Sequence, residues 1–263
     1  MKQLFSIILL SLAVNYSHAT DVVSREVEYK NQEGISFKGY VAYPEGKEQI
    51  PVVLVVHEWW GCNEYVRMRA NMLAEQGYFA FAVDMYGEGE LAENPEQATK
   101  LSSVFYANPS LAVERLEAAI DFLANYKIAD ANNISGIGYC FGGSMVLNAM
   151  MSGMNLRTVT SFHGGLNGIT TPSKGVKGKI LVCHGNSDSF VSAEDVQNFK
   201  NDLDSKKISY QFIGYENATH AFTNPKATEN GDRFNLPIAY NMEADAKSWE
   251  DLRKFLEENT SKR

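Results

Sequence analysis

Apolar residues fall into two alternating rhythms along this chain. Residues 51–57, Pro-Val-Val-Leu-Val-Val-His, form an apolar run that ends in a histidine. A run without a polar face marks a strand covered on both sides. Residues 79–83 repeat the pattern, and the segments 134–139, 159–162, 180–183 and 210–215 read as further strands. Between them the spacing lengthens. Val66, Arg69, Ala70 and Leu73 recur at helical intervals over 65–76, and Gly77 ends that helix. Further helices are predicted at 94–107, 109–126 (opened by Asn108-Pro109), 142–151, 192–203 and 241–258. Residues 27–29 and 37–43 read as an opening hairpin that turns near Gly34. Strands alternating with helices predict an α/β fold, a mostly parallel central sheet with helices on both faces. Residues 223–239, with Asn230-Gly231 and two prolines, read as a long irregular loop, a candidate rim for a site.

The first nineteen residues do not fit that rhythm. Lys2 precedes a short apolar run over 4–14, and Ser17-His18-Ala19 places small residues at a cleavage site. This is the pattern of a secretory signal peptide, too short to span a bilayer, so residues 20–263 are expected to form one exported domain, periplasmic or secreted. Removing Lys2 leaves 23 basic and 32 acidic residues, a net charge of −9. The acids are spread evenly, which disfavours nucleic-acid binding. The three cysteines, Cys62, Cys140 and Cys183, cannot all pair internally and form no CxxC pattern. No ligand cluster has metal spacing, so neither metal nor cofactor is implied.

The densest chemistry lies in Gly136-Ile-Gly-Tyr-Cys-Phe-Gly-Gly-Ser144. A strand leads into Gly138-Tyr139-Cys140-Phe141-Gly142 and a helix follows. This is a nucleophile elbow with cysteine in the serine position. The flanking glycines allow a strained turn, and the helix N-terminus favours a thiolate. The other reading is a core cysteine on a glycine-rich turn. A dinucleotide fingerprint fails because its next glycine falls where Tyr139 to Phe141 stand. A thiol nucleophile needs a base, and the base an orienter. Asp188, in the loop after 180–183, and His220, in the loop after 210–215, follow in elbow order. His57, His163 and His184 are rival bases. His57 and His184 emerge from apolar runs and read as packed histidines, while His163 sits too early in the chain. Glu58 with Trp59 and Trp60 looks like a pocket wall, and the backbone N–H groups of Trp59 and Phe141 are candidate oxyanion donors. Tyr86 and Phe141 extend that wall. Cys62 keeps a thiol-redox reading open, and a non-catalytic small-molecule-binding protein on the same scaffold is the remaining alternative.

These segments resemble the dienelactone hydrolase family, a branch of the α/β-hydrolase fold: His57-Glu-Trp-Trp-Gly61, Ala82-Val-Asp-Met-Tyr-Gly87, Gly138-Tyr-Cys-Phe-Gly-Gly143, His184-Gly-Asn-Ser-Asp188 and His220-Ala-Phe-Thr-Asn-Pro225. The resemblance implies a Cys140-His220-Asp188 triad, a glutamate at Glu58 that acts on the thiol, and a small ester or lactone as substrate. Two features depart from it. The family's substrate-gripping arginines are missing: Asp84-Met-Tyr-Gly-Glu-Gly-Glu90 has none, and Asn224 and Lys226 stand past the histidine, with Arg233 further on. The leader sequence is the second departure.

Overall fold

The computed structural model describes residues 21–173 and 175–260. The signal-peptide reading therefore lies outside the described residues. The chain opens with β1 (Val22–Lys30) and β2 (Ser36–Pro44), an antiparallel hairpin. Then come β3 (Ile50–Val56), α1 (Glu64–Glu75), β4 (Phe79–Val83), α2 (Pro95–Ala107), α3 (Ser110–Leu123), β5 (Ala129–Tyr139) and α4 (Phe141–Met151). The second half supplies β6 (Thr158–Phe162), β7 (Lys179–Gly185), α5 (Ala193–Ser205), β8 (Tyr210–Tyr215), α6 (Ala227–Phe234) and α7 (Met242–Thr260).

The eight strands order as β1-β2-β4-β3-β5-β6-β7-β8, parallel from β4 onward. β2 joins β4 antiparallel, so the hairpin closes one edge of the sheet. This is the α/β-hydrolase arrangement expected from the alternation. Along β3 the side chains divide with period two. Val52, Leu54 and Val56 enter one core, with α3, α4 and α5; Val53 and Val55 enter the other, with α1 and α7. α4 is buried on every residue, because it is pressed between the sheet and α3. It follows the nucleophile directly, so burial fixes the axis of the turn that carries Cys140.

One expectation changes. Residues 223–239 are not all irregular: α6 occupies Ala227–Phe234. After it, His220 and Ile238 form a parallel bridge, so the segment folds back along the His220 loop. Arg69, which sits within the apolar stripe of α1, is only 2% exposed. It pairs with Asp245 and donates to the Thr223 carbonyl at 2.7 Å, and the rings of Tyr65, Tyr139 and Trp249 surround it.

Candidate active site

Cys140 joins β5 to α4 with φ 52° and ψ −114°, a left-handed conformation rare for a residue with a side chain. The glycines around it are there for space. A Cβ on Gly138 would stand 2.0 Å from the Gly142 carbonyl oxygen, and one on Gly142 would stand 2.3 Å from that of Val56. Nothing larger than hydrogen fits, so the turn brings the sulfur to the C-terminal end of the sheet.

Two further strand ends complete the group. Asp188 follows β7, its loop closed by hydrogen bonds from Asp188 N to the Gly185 carbonyl and from Ser187 N to that of Ala218. His220 follows β8. Its Nε2 lies 3.0 Å from Cys140 Sγ, and its Nδ1 donates to Asp188 Oδ2 at 2.9 Å. The other Asp188 oxygen accepts the Phe190 N–H at 2.9 Å, so the carboxylate is fixed from both sides. Burial alone would lower the His220 pKa. The charge on Cys140 and the hydrogen bond and charge of Asp188 outweigh it and hold the imidazole well above its usual value. The arrangement favours the protonated imidazole at His220.

The rival histidines are committed elsewhere. His57 is fully buried; its Nδ1–H donates to the Glu58 carbonyl and its Nε2 accepts the Met85 N–H at 3.2 Å. His184 packs its ring on Phe212. His163 accepts the Cys140 N–H on Nδ1 at 3.1 Å and donates from Nε2 to Thr223 Oγ1 at 2.7 Å. Desolvation pushes all three below the usual imidazole range, so they are neutral. Cys62 and Cys183 are buried in the core on the α1 and α7 side of the sheet, each pushed up to about 12 by burial. The Cys62 thiol donates to the Ala82 carbonyl, whereas Cys140 packs against the opposite core. This gives Cys62 no role as a resolving thiol.

Cys140 and His220 line a cavity of about 330 Å³. Its apolar walls are Trp59, Trp60, Phe190, Leu236 and Ile238. α2 adds Ser102 and Tyr106, which the sequence placed on a helix but not on the site. Among the described residues, Glu58 is the only carboxylate in the lining, and no lysine or arginine is part of it. Its Oε2 accepts from Asn224 Nδ2 at 2.5 Å, and burial pushes its pKa up to about 7, against the opposing pull of Asn224, His220 and Arg69.

Three expected pocket residues, Asn224, Tyr86 and Phe141, do not line the cavity. Asn224 reaches the site through Glu58 rather than by facing the cavity. Tyr86 stands behind the wall, where its hydroxyl donates to the Trp59 carbonyl at 3.0 Å and its ring packs on Phe141. Lys226 and Arg233 line a larger groove of about 970 Å³ beyond Trp60, outside the Cys140 cavity. The N–H of Phe141, at the start of α4, and that of Trp59 have no protein acceptor among the described residues.

Residues 37–260 match the model of the dienelactone hydrolase family. The chain belongs to the dienelactone hydrolase family. Protein usf of Aquifex pyrophilus is 28% identical over 221 residues, covering 82% of this chain and 94% of that protein. Among solved structures, m3DLH is 31% identical with a TM-score of 0.83, covering 91% of this chain and 99% of that one. A dienelactone hydrolase-like promiscuous phosphotriesterase from metagenomic libraries is 28% identical, with the same TM-score and coverage. With its Cys140-His220-Asp188 geometry, this dienelactone hydrolase family member is a carboxylic-ester hydrolase that works through a nucleophilic triad.

Proposed function

We propose that the enzyme cleaves small, uncharged, partly apolar esters and lactones through a Cys140 thioester, and that it acts outside the cytoplasm as a single domain released from its leader. The observation that carries the substrate reading is the lining of the cavity: among the described residues it has aromatic and aliphatic walls, one buried carboxyl and no lysine or arginine. A carboxylate substrate entering there would lose its hydration and meet no lysine or arginine, only an imidazole already paired with Asp188, which costs several kcal/mol.

The reaction follows from the geometry. The Cys140 thiolate attacks the ester carbonyl, and the developing oxyanion accepts from the N–H groups of Trp59 and Phe141. As the tetrahedral intermediate collapses, the carbon–oxygen bond breaks and His220 passes its proton to the departing alkoxide. The acyl group is then a thioester on Sγ. Neutral His220, oriented by Asp188, takes a proton from water as that water attacks the thioester; the acid departs and the thiolate–imidazolium pair is restored. Glu58, beside the thiol and near neutrality in pKa, tunes the resting state of the sulfur.

The test is turnover of p-nitrophenyl acetate and butyrate, small neutral lactones and dienelactone by the mature protein, with Cys140→Ala as control. Neutral esters and lactones should be cleaved and dienelactone poorly. Near-normal turnover by Cys140→Ala would refute the thioester route, and a preference for dienelactone would refute the uncharged-substrate reading.

A further inference from the structure

His163 transfers no proton in this reaction, yet it is almost fully buried directly behind the nucleophile. We infer that His163 is a positioning residue that ties the strained Cys140 turn to the loop carrying His220 and thereby sets the sulfur–imidazole separation.

Both of its ring nitrogens support this. Nδ1 accepts the backbone N–H of the nucleophile at 3.1 Å, a proton shared with the Phe162 carbonyl at 3.0 Å. Nε2–H donates to the hydroxyl of Thr223, three residues after His220. One ring therefore bridges the two sides of the reacting pair. The Thr223 end is itself anchored. Its hydroxyl lies 2.6 Å from that of Tyr65, and its carbonyl accepts from Arg69, which Asp245 of α7 holds in place. Thr223 is thus fastened to α1 and α7, and through His163 so is the Cys140 turn.

The local backbone is shaped to put the ring there. His163 has φ 40°, a left-handed value for a residue with a side chain, and its N–H is held by the Cys183 carbonyl at 2.8 Å. A Cβ on Gly164 would stand 2.4 Å from Ser161 Oγ and 3.0 Å from the Gly143 carbonyl carbon. Only glycine lets the end of β6 come this close to the first turn of α4. The His163-Gly164 pair is accounted for by this approach. The His163 and His220 rings sit 5.4 Å apart, and burial keeps His163 neutral, with Nδ1 free to accept.

The inference rests on the Cys140–His220 pair, so the experiment counts that pair separately. Burst titration with p-nitrophenyl acetate measures the fraction of Cys140 that acylates, and kcat is expressed per titrated thiol. Absence of a burst in the unmodified enzyme would condemn the pair itself. His163→Phe removes both hydrogen bonds and should lower kcat about 10²-fold, the scale for misplacing a reacting group by about 1 Å, with KM within about twofold. His163→Asn keeps an acceptor near Nδ1, and His163→Gln keeps a donor near Nε2; each should recover part of kcat. Thr223→Val should cost about tenfold alone and less than twofold in the His163→Phe background, because groups acting as a unit are not additive. The inference is overturned if His163→Phe keeps its kcat per titrated thiol. It is equally overturned if Asn and Gln rescue nothing beyond what the unfolding midpoint explains, or if the Thr223 effect is undiminished in the Phe background.

Discussion

Replacing Glu58 with glutamine should make the protein more stable as pH rises while impairing its catalysis. The carboxyl is 3% exposed, and burial raises its pKa from the ordinary 4.5 to about 7. Below pH 4.5 it is protonated in both folded and unfolded chains and contributes no difference. Between 4.5 and 7 the unfolded chain ionises first, so the folded state loses ground as pH rises. Above 7 the loss is complete. From these two values, linkage gives about 1 kcal/mol at pH 5 and about 3 kcal/mol at pH 8. Glutamine has nearly the same shape, can still accept from Asn224 Nδ2, and does not titrate. Other groups titrate alike in both proteins and cancel. The assay is urea unfolding of wild type and Glu58→Gln at pH 5 and pH 8. The advantage of the variant should grow by about 2 kcal/mol between them. A difference that is flat or shrinks with pH would refute the assignment of a buried, near-neutral carboxyl.

Asp188→Asn should lower kcat by about 10³- to 10⁴-fold with the fold intact, since an amide facing Nδ1 stabilises the wrong imidazole tautomer; steady-state kinetics with a matched melting curve would check this. Gly138→Ala should destabilise by more than about 4 kcal/mol, because its Cβ would sit 2.0 Å from the Gly142 oxygen; soluble yield and unfolding midpoint report it. Tyr86→Phe removes the hydrogen bond to the Trp59 carbonyl and should lower kcat about tenfold at unchanged KM, if that carbonyl fixes the neighbouring oxyanion donor. A rise in KM alone would place Tyr86 in substrate binding instead.

The middle of the sheet was legible in the sequence because β3, β4, β6 and β7 are buried on both faces, and residues such as Val52 to Val56 leave no other reading. The triad was legible because each member follows a strand, in elbow order. α6 was hidden by its own composition. Asn230-Gly231 signals a turn, yet Gly231 lies inside the helix because the Ile238 carbonyl passes where a Cβ would stand, at 2.4 Å. Tyr86 was misplaced for a related reason. An aromatic residue after a strand end can face the cavity or brace its wall, and only tertiary contacts decide. The contribution of α2 to the cavity had no local signal, since Ser102 and Tyr106 look like any helix residues. Arg69 did leave one: a charge inside an apolar stripe must find a buried partner, and Asp245 is 176 positions away.

The division of labour across the fold has an evolutionary corollary. The reacting atoms hang from the C-terminal ends of β5, β7 and β8, whereas α2 and the segment around α6 supply part of the cavity wall without contributing a strand. Those two pieces behave as exchangeable cassettes. Descendants, natural or engineered, could take up new acyl and alcohol groups by rewriting about two dozen residues there, and the machinery that breaks the bond would be inherited unchanged.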